Sequence, residues 1–434
     1  MKNTTKLKLK FQFQIPLMFS TDSQLKEIAQ TYGTPLLVYD ESCLKKYASD
    51  ALSVPNAFGL TVRYAMKANS HSAILQIFDS IGMHIDASSY YEVKRAIAAG
   101  IAPEKIMLTG QELLSKDSIR EIVELGVMYC CSSLNQLRNY CELYAGSDMP
   151  VSIRINPGLG SGYNNRTNTA GPAASFGIWH QYIPDTHNIV SKHKLKISRI
   201  HTHIGSGSDW EVWKNAAILT LRTVNEFPDV KIVNLGGGYK IDRIDPSNSI
   251  NLDAVFSIIK EEFNKFSDET GRNLHLEIEP GTYLTANSCI LLSSVNDIVS
   301  TGPDGFKFIK SDASMSELLR PMIYGAKHPL RILGKDGTVL TDYVVVGCCC
   351  ESGDIFTVVE GDPELVDTVK LPQVHIGDVL AIMGAGAYGI SMSAKNYNSR
   401  PLCAEVMIRE NGSHSIISRR QRIDEVWDRE LPLE

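Results

Sequence analysis

The chain has 434 residues, 43% of them hydrophobic and 21% charged, which is enough apolar content for two or three domains, or for one barrel of ~250 residues and a partner domain. A net charge of -6 gives no footing for nucleic-acid binding, which usually shows a basic stripe. No apolar run approaches the roughly 18 residues a membrane-spanning helix needs.

The N-terminus reads KLKLKFQFQ, whose strict alternation predicts a strand and not the apolar stretch of a signal peptide. The first twenty residues hold no Arg, so a mitochondrial address is not indicated and a cytoplasmic protein is expected. Residues 21–34 predict a helix, with Thr21 or Asp22 as cap, Leu25, Ile28 and Ala29 on one face and Gly33 as stop. Pro35–Tyr39 predicts a strand and 41–52 a second helix.

From there a rhythm sets in. Short β-type runs recur at Val62–Lys67, Met83–Ala87, Lys105–Thr109, Met128–Ser132, Val151–Asn156, Ile197–Ile204, Lys231–Leu235 and Leu274–Glu279. Helical segments lie between them, such as Tyr91–Ala99 stopped by Gly100 and Lys116–Leu125 stopped by Gly126. The repeat predicts an α/β protein with a (β/α)8 TIM-type barrel; a doubly wound open sheet is the competing architecture. The barrel reading requires active-site residues at the C-terminal strand ends, and there stand Lys67, Asp86, Arg154, His203, the Gly236-Gly237-Gly238 run and Glu279.

After about Thr285 the helical periodicity fades. Runs at Ile290–Ser294, Phe306–Ile309, Tyr343–Val346, Ile355–Val359, Val379–Met383 and Ala404–Arg409 predict a second, mainly-β barrel or sandwich domain. The expected division is a cofactor-binding barrel over 35–285, with 1–34 and 286–434 forming the β-domain. The nine cysteines form no C-x-x-C pair and complete no zinc spacing, so reduced thiols are expected, most of them packed as small hydrophobes.

The chemistry turns on Lys67. A lysine ending a buried strand is costly unless paired, neutralised or used covalently; taken alone, Lys67 reads first as a snorkelling surface lysine, and the rest of the chain changes that. Three glycines after an apolar strand let backbone N–H groups approach a phosphate, or simply make a turn. His201 and His203, two residues apart, share a strand face; they would make half a metal site, but no third ligand stands nearby, and no metal is expected. Glu279 before Pro280-Gly281 places a carboxylate at a forced turn. One ligand unites these parts, pyridoxal 5'-phosphate: Lys67 holds its aldehyde, Glu279 faces the pyridine nitrogen, His203 packs on the ring and the glycines take the phosphate.

The stretches YGTPLLVYD, YAMKANS, HTHIGSG, NLGGGY, EPG, LLRPMIYGA, CESGDIF, GAYG and MSAKNYNSRP occur in this order from about Tyr32 to Glu405. With them the chain resembles the pyridoxal phosphate decarboxylases of the alanine-racemase-like fold, most closely those acting on meso-2,6-diaminopimelate. The resemblance implies decarboxylation of that substrate to L-lysine and CO2. It implies that Lys67 carries the cofactor and that Cys350, reaching in from a second subunit, supplies the proton that replaces CO2. Glu351 would meet the substrate's distal amino group, Arg320 and Tyr324 its distal carboxylate, and Tyr388 the cofactor phosphate or the space above it. Asp86, Ser206 and Gly281 stand at the same rim and are grouped with the cofactor contacts. The family works as a head-to-tail homodimer with shared sites, so the expected partners are a second copy and an amino-acid substrate, with no nucleic acid or membrane.

Two departures bear on the substrate. The family's Arg after Glu-Pro-Gly is Thr282 here, and its Ser-Lys-Phe-Gly run is Ser175-Phe176-Gly177. A hydroxyl cannot match the bidentate fork of a guanidinium on a carboxylate. Either Arg166 or Lys327 replaces the lost charge, or the substrate ends differently: another basic amino acid of either hand, a polyamine precursor or a secondary-metabolite intermediate.

Overall fold

The computed structural model describes residues 21–161, 169–207, 209–337 and 339–433; the expected N-terminal strand and Arg166 lie outside the described residues. Eight parallel strands close a barrel: β2 (Leu60–Ala65), β3 (His84–Ala87), β4 (Ile106–Leu108), β5 (Met128–Cys131), β6 (Pro150–Asn156), β8 (Lys196–Thr202), β9 (Ile232–Asn234) and β10 (His275–Ile278). β1 (Leu36–Asp40) lies outside the barrel, and β7 (Ile178–Trp179) is a two-residue strand appended to β6. Closure is made by β2 beside β10 and β5 beside β6. The barrel, not the open sheet, is therefore the architecture.

Local sequence sets the strand-to-helix turns. After β3, the Ser89 hydroxyl accepts from the Glu92 amide at 3.1 Å while Glu92 reaches back to the Ser88 amide at 2.7 Å. After β5, Ser133 and Gln136 repeat the arrangement, with Gln136 Oε1 accepting from the Ser132 amide at 2.6 Å. These reciprocal caps satisfy amides that a helix start leaves open. They explain why the helices Tyr90–Ala98 and Leu134–Leu143 begin where they do.

The second domain is a nine-stranded mixed sheet. Its members include β1, β11 (Cys289–Ser300), β12 (Lys307–Ser311), β13 (Leu330–Ile332) and β14 (Leu340–Val346), with β15 (Val358–Val359) and β16 (Asp362–Val366) as a separate hairpin; β17 (Val369–Pro372), β18 (Val379–Met383), β19 (Ala404–Ile408) and β20 (His414–Ser418) complete it. β1 pairs antiparallel with β11 and parallel with β19, Leu36 opposite Leu292 and Ala404. The expected boundary at residue 35 grouped this strand with the barrel; its pairing puts it in the second sheet, because its partners lie over 200 residues away and leave no local trace. The expected run Ile355–Val359 is likewise mostly loop, with an isolated bridge at Ile355 and a strand only at Val358–Val359.

Alternation along β1 joins the two layers. Leu36 and Val38 face a core with Leu25 and Ile28 of the first helix, while Leu37 and Tyr39 face the large core continuous with the barrel. All four are fully buried, and each contributes about 1.5–3 kcal/mol of apolar transfer. Among the described residues no helix is long and apolar enough to cross a membrane.

Candidate active site

β2 delivers Lys67 to the barrel mouth. The strand stops at Ala65, whose amide donates to the Pro280 carbonyl at 3.1 Å, and Tyr64 Oη donates to the Asn69 carbonyl at 2.8 Å. A single 3-10 turn, Met66–Ala68, follows. Its Ala68 carbonyl accepts from the Tyr388 amide at 2.8 Å and the Ser391 hydroxyl at 2.9 Å, so the turn is held between the barrel and the 384–391 loop. Met66 and Ala68 are buried, whereas Lys67 is exposed. Its positive charge acts on Asp86, Glu92, Glu279, His201 and His203, the acidic and imidazole groups of the rim.

Strand register builds the floor beneath it. Arg154 lies opposite His201, His201 opposite Asn234, and Asn234 opposite Glu277. Glu277 is buried between Arg63 (2.9 Å) and Arg199 (3.1 Å). Burial alone would raise its pKa; the two guanidiniums outweigh that and hold it below the usual range. One layer higher, Asn234 Nδ2 donates to Glu279 Oε1 at 2.6 Å and Asn234 Oδ1 accepts from the Gly236 amide at 2.8 Å. Burial raises the Glu279 pKa, against the pull of Arg154, Asn234 and Lys67. Burial and then the Glu279 charge raise Asp86 well above the carboxylate range, and its Oδ1 is buried without a hydrogen-bond partner among the described residues.

The histidines are neutral groups here. Burial, then Arg154 and Lys67, hold His203 well below the usual imidazole pKa. The Gly237 amide donates to its Nδ1 at 3.2 Å, so the ring proton sits on Nε2 and the ring plane is fixed. His201 is buried with its Nε2 3.3 Å from Glu279 Oε2 and with neither ring nitrogen in a well-aligned hydrogen bond. No grouping of three His, Cys, Asp or Glu suited to a metal ion occurs among the described residues.

The glycine run is packed, not merely loose. A Cβ on Gly237 would lie 1.9 Å from the Glu279 carbonyl oxygen, and one on Gly238 would lie 1.7 Å from that of Gly205. Gly236, at φ +69°, leaves the room that the His203 ring fills. The Gly238 amide and the Ser206 hydroxyl have no hydrogen-bond partner among the described residues. An exposed lysine, a fixed carboxylate, a neutral flat ring and unpaired donors on a glycine turn fit pyridoxal phosphate in its aldehyde, pyridine and phosphate parts.

Across the mouth lies a cationic wall. Tyr388 holds a left-handed backbone at φ 54°, uncommon for a tyrosine and pinned by its bond to Ala68. Its phenol is within electrostatic reach of Arg320 and Arg243. Burial lowers the Arg320 pKa to about 10, with Tyr388 and Tyr324 opposing. Arg320 Nη1 is 3.1 Å from His328 Nε2, and His328 Nδ1 is 2.9 Å from the Met383 carbonyl. A carbonyl only accepts, so Nδ1 carries the proton and Nε2 accepts from Arg320. Tyr324 Oη approaches Met392 Sδ at 3.8 Å.

Lys67, Asp86, His203, Ser206, the glycines 236–238, Glu279 and Gly281 thus gather at one barrel end, and Tyr388, Arg320 and Tyr324 face them. Cys350 and Glu351 are not brought there. Both are exposed, on a turn where the Cys350 amide donates to Asn398 Oδ1 at 2.7 Å and Glu351 accepts from Gly353, and no contact joins them to Lys67 or Glu279 among the described residues. Of the other thiols, Cys348 and Cys349 are half-buried and the remaining six are buried. Thr282 begins the short helix Thr282–Thr285. Lys327 is already paired with Asp367. Sequence reasoning missed Asn234, Arg243 and His328; of these, only Asn234 carried a signal, as the polar residue ending an apolar strand.

Residues 44–286 match the family model described as "Pyridoxal-dependent decarboxylase, pyridoxal binding domain". The chain is 34% identical over 417 residues to the diaminopimelate decarboxylase of Streptomyces coelicolor, covering 94% of this chain and 92% of the relative. It is 33% identical to that of Escherichia coli K12, covering 95% and 99%. A crystal structure of diaminopimelate decarboxylase superposes with a TM-score of 0.85 at 32% identity over 95% of this chain and 97% of that one. The Helicobacter pylori enzyme complexed with L-lysine superposes at 0.80 and 26% identity, covering 93% and 98%. The chain belongs to the diaminopimelate decarboxylase family of pyridoxal-dependent decarboxylases, and is a carboxy-lyase that uses pyridoxal phosphate.

Proposed function

We propose that the enzyme removes one carboxylate from meso-2,6-diaminopimelate, giving L-lysine and CO2. The observation that carries this is the layout of the mouth: an exposed Lys67 above Glu279 and His203 on one side, and Arg320 beside Tyr388 on the other. One side suits the cofactor, and the other an anionic group at the far end of an amino acid.

Pyridoxal phosphate, when bound, supplies a ring that takes up the electron pair left as CO2 departs. Lys67 binds the cofactor and releases the product. Glu279, held by Asn234, would keep a proton on the ring nitrogen. Neutral His203, fixed by Gly237, would pack on the ring, and the 236–238 glycines with Ser206 and Gly281 would hold the phosphate. Burial and the Glu279 charge favour the protonated form of Asp86. Cys350 is a proton donor to the substrate carbon: its thiol hydrogen takes the place of the lost carboxylate. Because Cys350 and Glu351 are exposed and make no contact with Lys67 among the described residues, they serve the site of a second copy in a head-to-tail homodimer. All the cysteines are free thiols, which suits work in the reducing cytoplasm.

A second reading keeps the reaction and changes the substrate. Thr282 takes the place of a family arginine, so an amino acid without a distal carboxylate would fit a weakened clamp. CO2 release is therefore measured across meso-2,6-diaminopimelate, D- and L-lysine, D- and L-ornithine and arginine. Turnover of a monocarboxylate with diaminopimelate inert overturns the first reading.

A further inference from the structure

Arg243 carries no role in the chemistry above, yet its surroundings single it out. It lies in the irregular segment after the glycine run and packs against Gly384, where a Cβ would meet its side chain at 2.8 Å. Its Nε donates to the Gly384 carbonyl at 2.9 Å. That is its only hydrogen bond among the described residues, and its Nη2 is buried without an acceptor. Burial and then the like charge of Arg320 push its pKa well below the arginine range. Neither Arg243 nor Arg320 has a carboxylate within ion-pair distance among the described residues. Arg63 and Arg199, by contrast, share Glu277. Two neighbouring half-buried guanidiniums without a counter-ion, one of them with its Nη2 closed off from water, lack an anion to complete them.

Position supplies the second half of the argument. The 384–389 loop connects Arg243 to the place where the family arginine is absent. Gly384 bears on Arg243, while Gly386 packs on the Thr282–Thr285 helix, its amide donating to Ala286 at 3.0 Å. Met383, one residue before, holds His328 and through it Arg320. Tyr388 of the same loop acts on both arginines and binds Ala68 beside Lys67.

The geometry points to Arg243 as the second arm of an anion clamp with Arg320, taking the substrate's distal carboxylate in place of the arginine that Thr282 replaces. This rests on the decarboxylase reading and deepens it, naming what selects a dicarboxylic amino acid. The cofactor phosphate offers the same anionic chemistry, and the test separates the two sources.

The probe is pimelate, a seven-carbon dicarboxylate without amino groups, titrated into the pyridoxal phosphate-loaded enzyme by calorimetry. The wild type binds it; Arg243→Gln weakens binding by about ten-fold or more, and Arg243→Lys falls between. Cofactor affinity, titrated on the apoenzyme, stays within about two-fold in Arg243→Lys. The clamp is overturned if the wild type does not bind pimelate, if both variants bind it like the wild type, or if cofactor affinity falls in parallel with pimelate affinity. Circular dichroism identifies a misfolded Gln variant, in which case the Lys variant decides. CO2 release from meso-2,6-diaminopimelate by the wild type tests the decarboxylase reading separately: an enzyme that binds pimelate but leaves diaminopimelate intact keeps the clamp and loses that reading.

Discussion

Asn234 Nδ2 lies 2.6 Å from Glu279 Oε1, and the same side chain accepts from the Gly236 amide. One residue therefore ties the carboxylate at one end of the cofactor site to the glycine turn at the other. A hydrogen bond to a charged group contributes about 1.5–3 kcal/mol, which is roughly ten-fold or more in rate if it is lost where the charge is needed. Asn234→Ala should lower kcat by that order while the protein still takes up cofactor, read as the visible absorbance of bound pyridoxal phosphate. Asn234→Asp should do at least as much damage, because it sets a third carboxylate beside Glu277 and Glu279. Steady-state kinetics with wild-type kcat in both variants would refute this role.

His328 is a positioning residue for Arg320. It is neutral, since burial and the nearby Arg243 and Arg320 hold its pKa well below the usual value. Its fixed tautomer presents Nε2 to the guanidinium. His328→Phe keeps a ring in the space but removes the acceptor. KM for a dicarboxylic substrate should rise by about ten-fold, with a smaller change in kcat, because the guanidinium keeps its charge and loses its orientation. A rise in KM for monocarboxylic amino acids of the same size would show general loosening of the wall instead.

The barrel was legible because short β-type runs recur between helical segments, several of them ending in a chemically distinct residue, and because helix stops fell on glycines. Lys67, Glu279 and the glycine turn were found by that placement. The β-domain was legible only as texture. β13, β16, β17 and β20 are short or partly exposed, and β1 joins the sheet through partners on β11 and β19 that no local pattern announces. Arg243 was illegible for the same reason. It sits in a loop without periodicity, and what gives it meaning, Gly384, lies 141 residues away.

Glu317 gives the fold a pH dependence. It is 2% exposed, and burial raises its pKa to about 7 although the Ser314 amide and hydroxyl both donate to it. In the unfolded chain it titrates near the model value of 4.5. The folded state holds the proton more tightly, so this contribution is fully present below about pH 4.5 and is lost as pH rises towards 7, amounting to roughly 3 kcal/mol. Glu317→Gln cannot ionise. Thermal melts from pH 5 to pH 8 should show the variant gaining on the wild type by a few degrees as pH rises. A constant difference across that range would mean that Glu317 does not titrate on unfolding.

Lys67 and Cys350 should act in trans. Each Lys67→Ala chain lacks the residue that binds the cofactor, and each Cys350→Ala chain lacks the proton donor, so either homodimer alone should lose nearly all activity. Mixed and allowed to exchange subunits, the two variants form heterodimers. In a head-to-tail arrangement, one site of a heterodimer takes both lesions and the other takes neither. Random exchange at equal concentrations puts half the dimers in the mixed form, so activity should recover to about a quarter of the wild-type value per total site, as expected for isologous pairing. Co-purification with two different affinity tags isolates the heterodimer and should double that figure. If the mixture stays as inactive as its components although the tags show that exchange has occurred, Cys350 serves its own chain's site or none. The exposed turn it occupies would then have to fold inwards to reach Lys67.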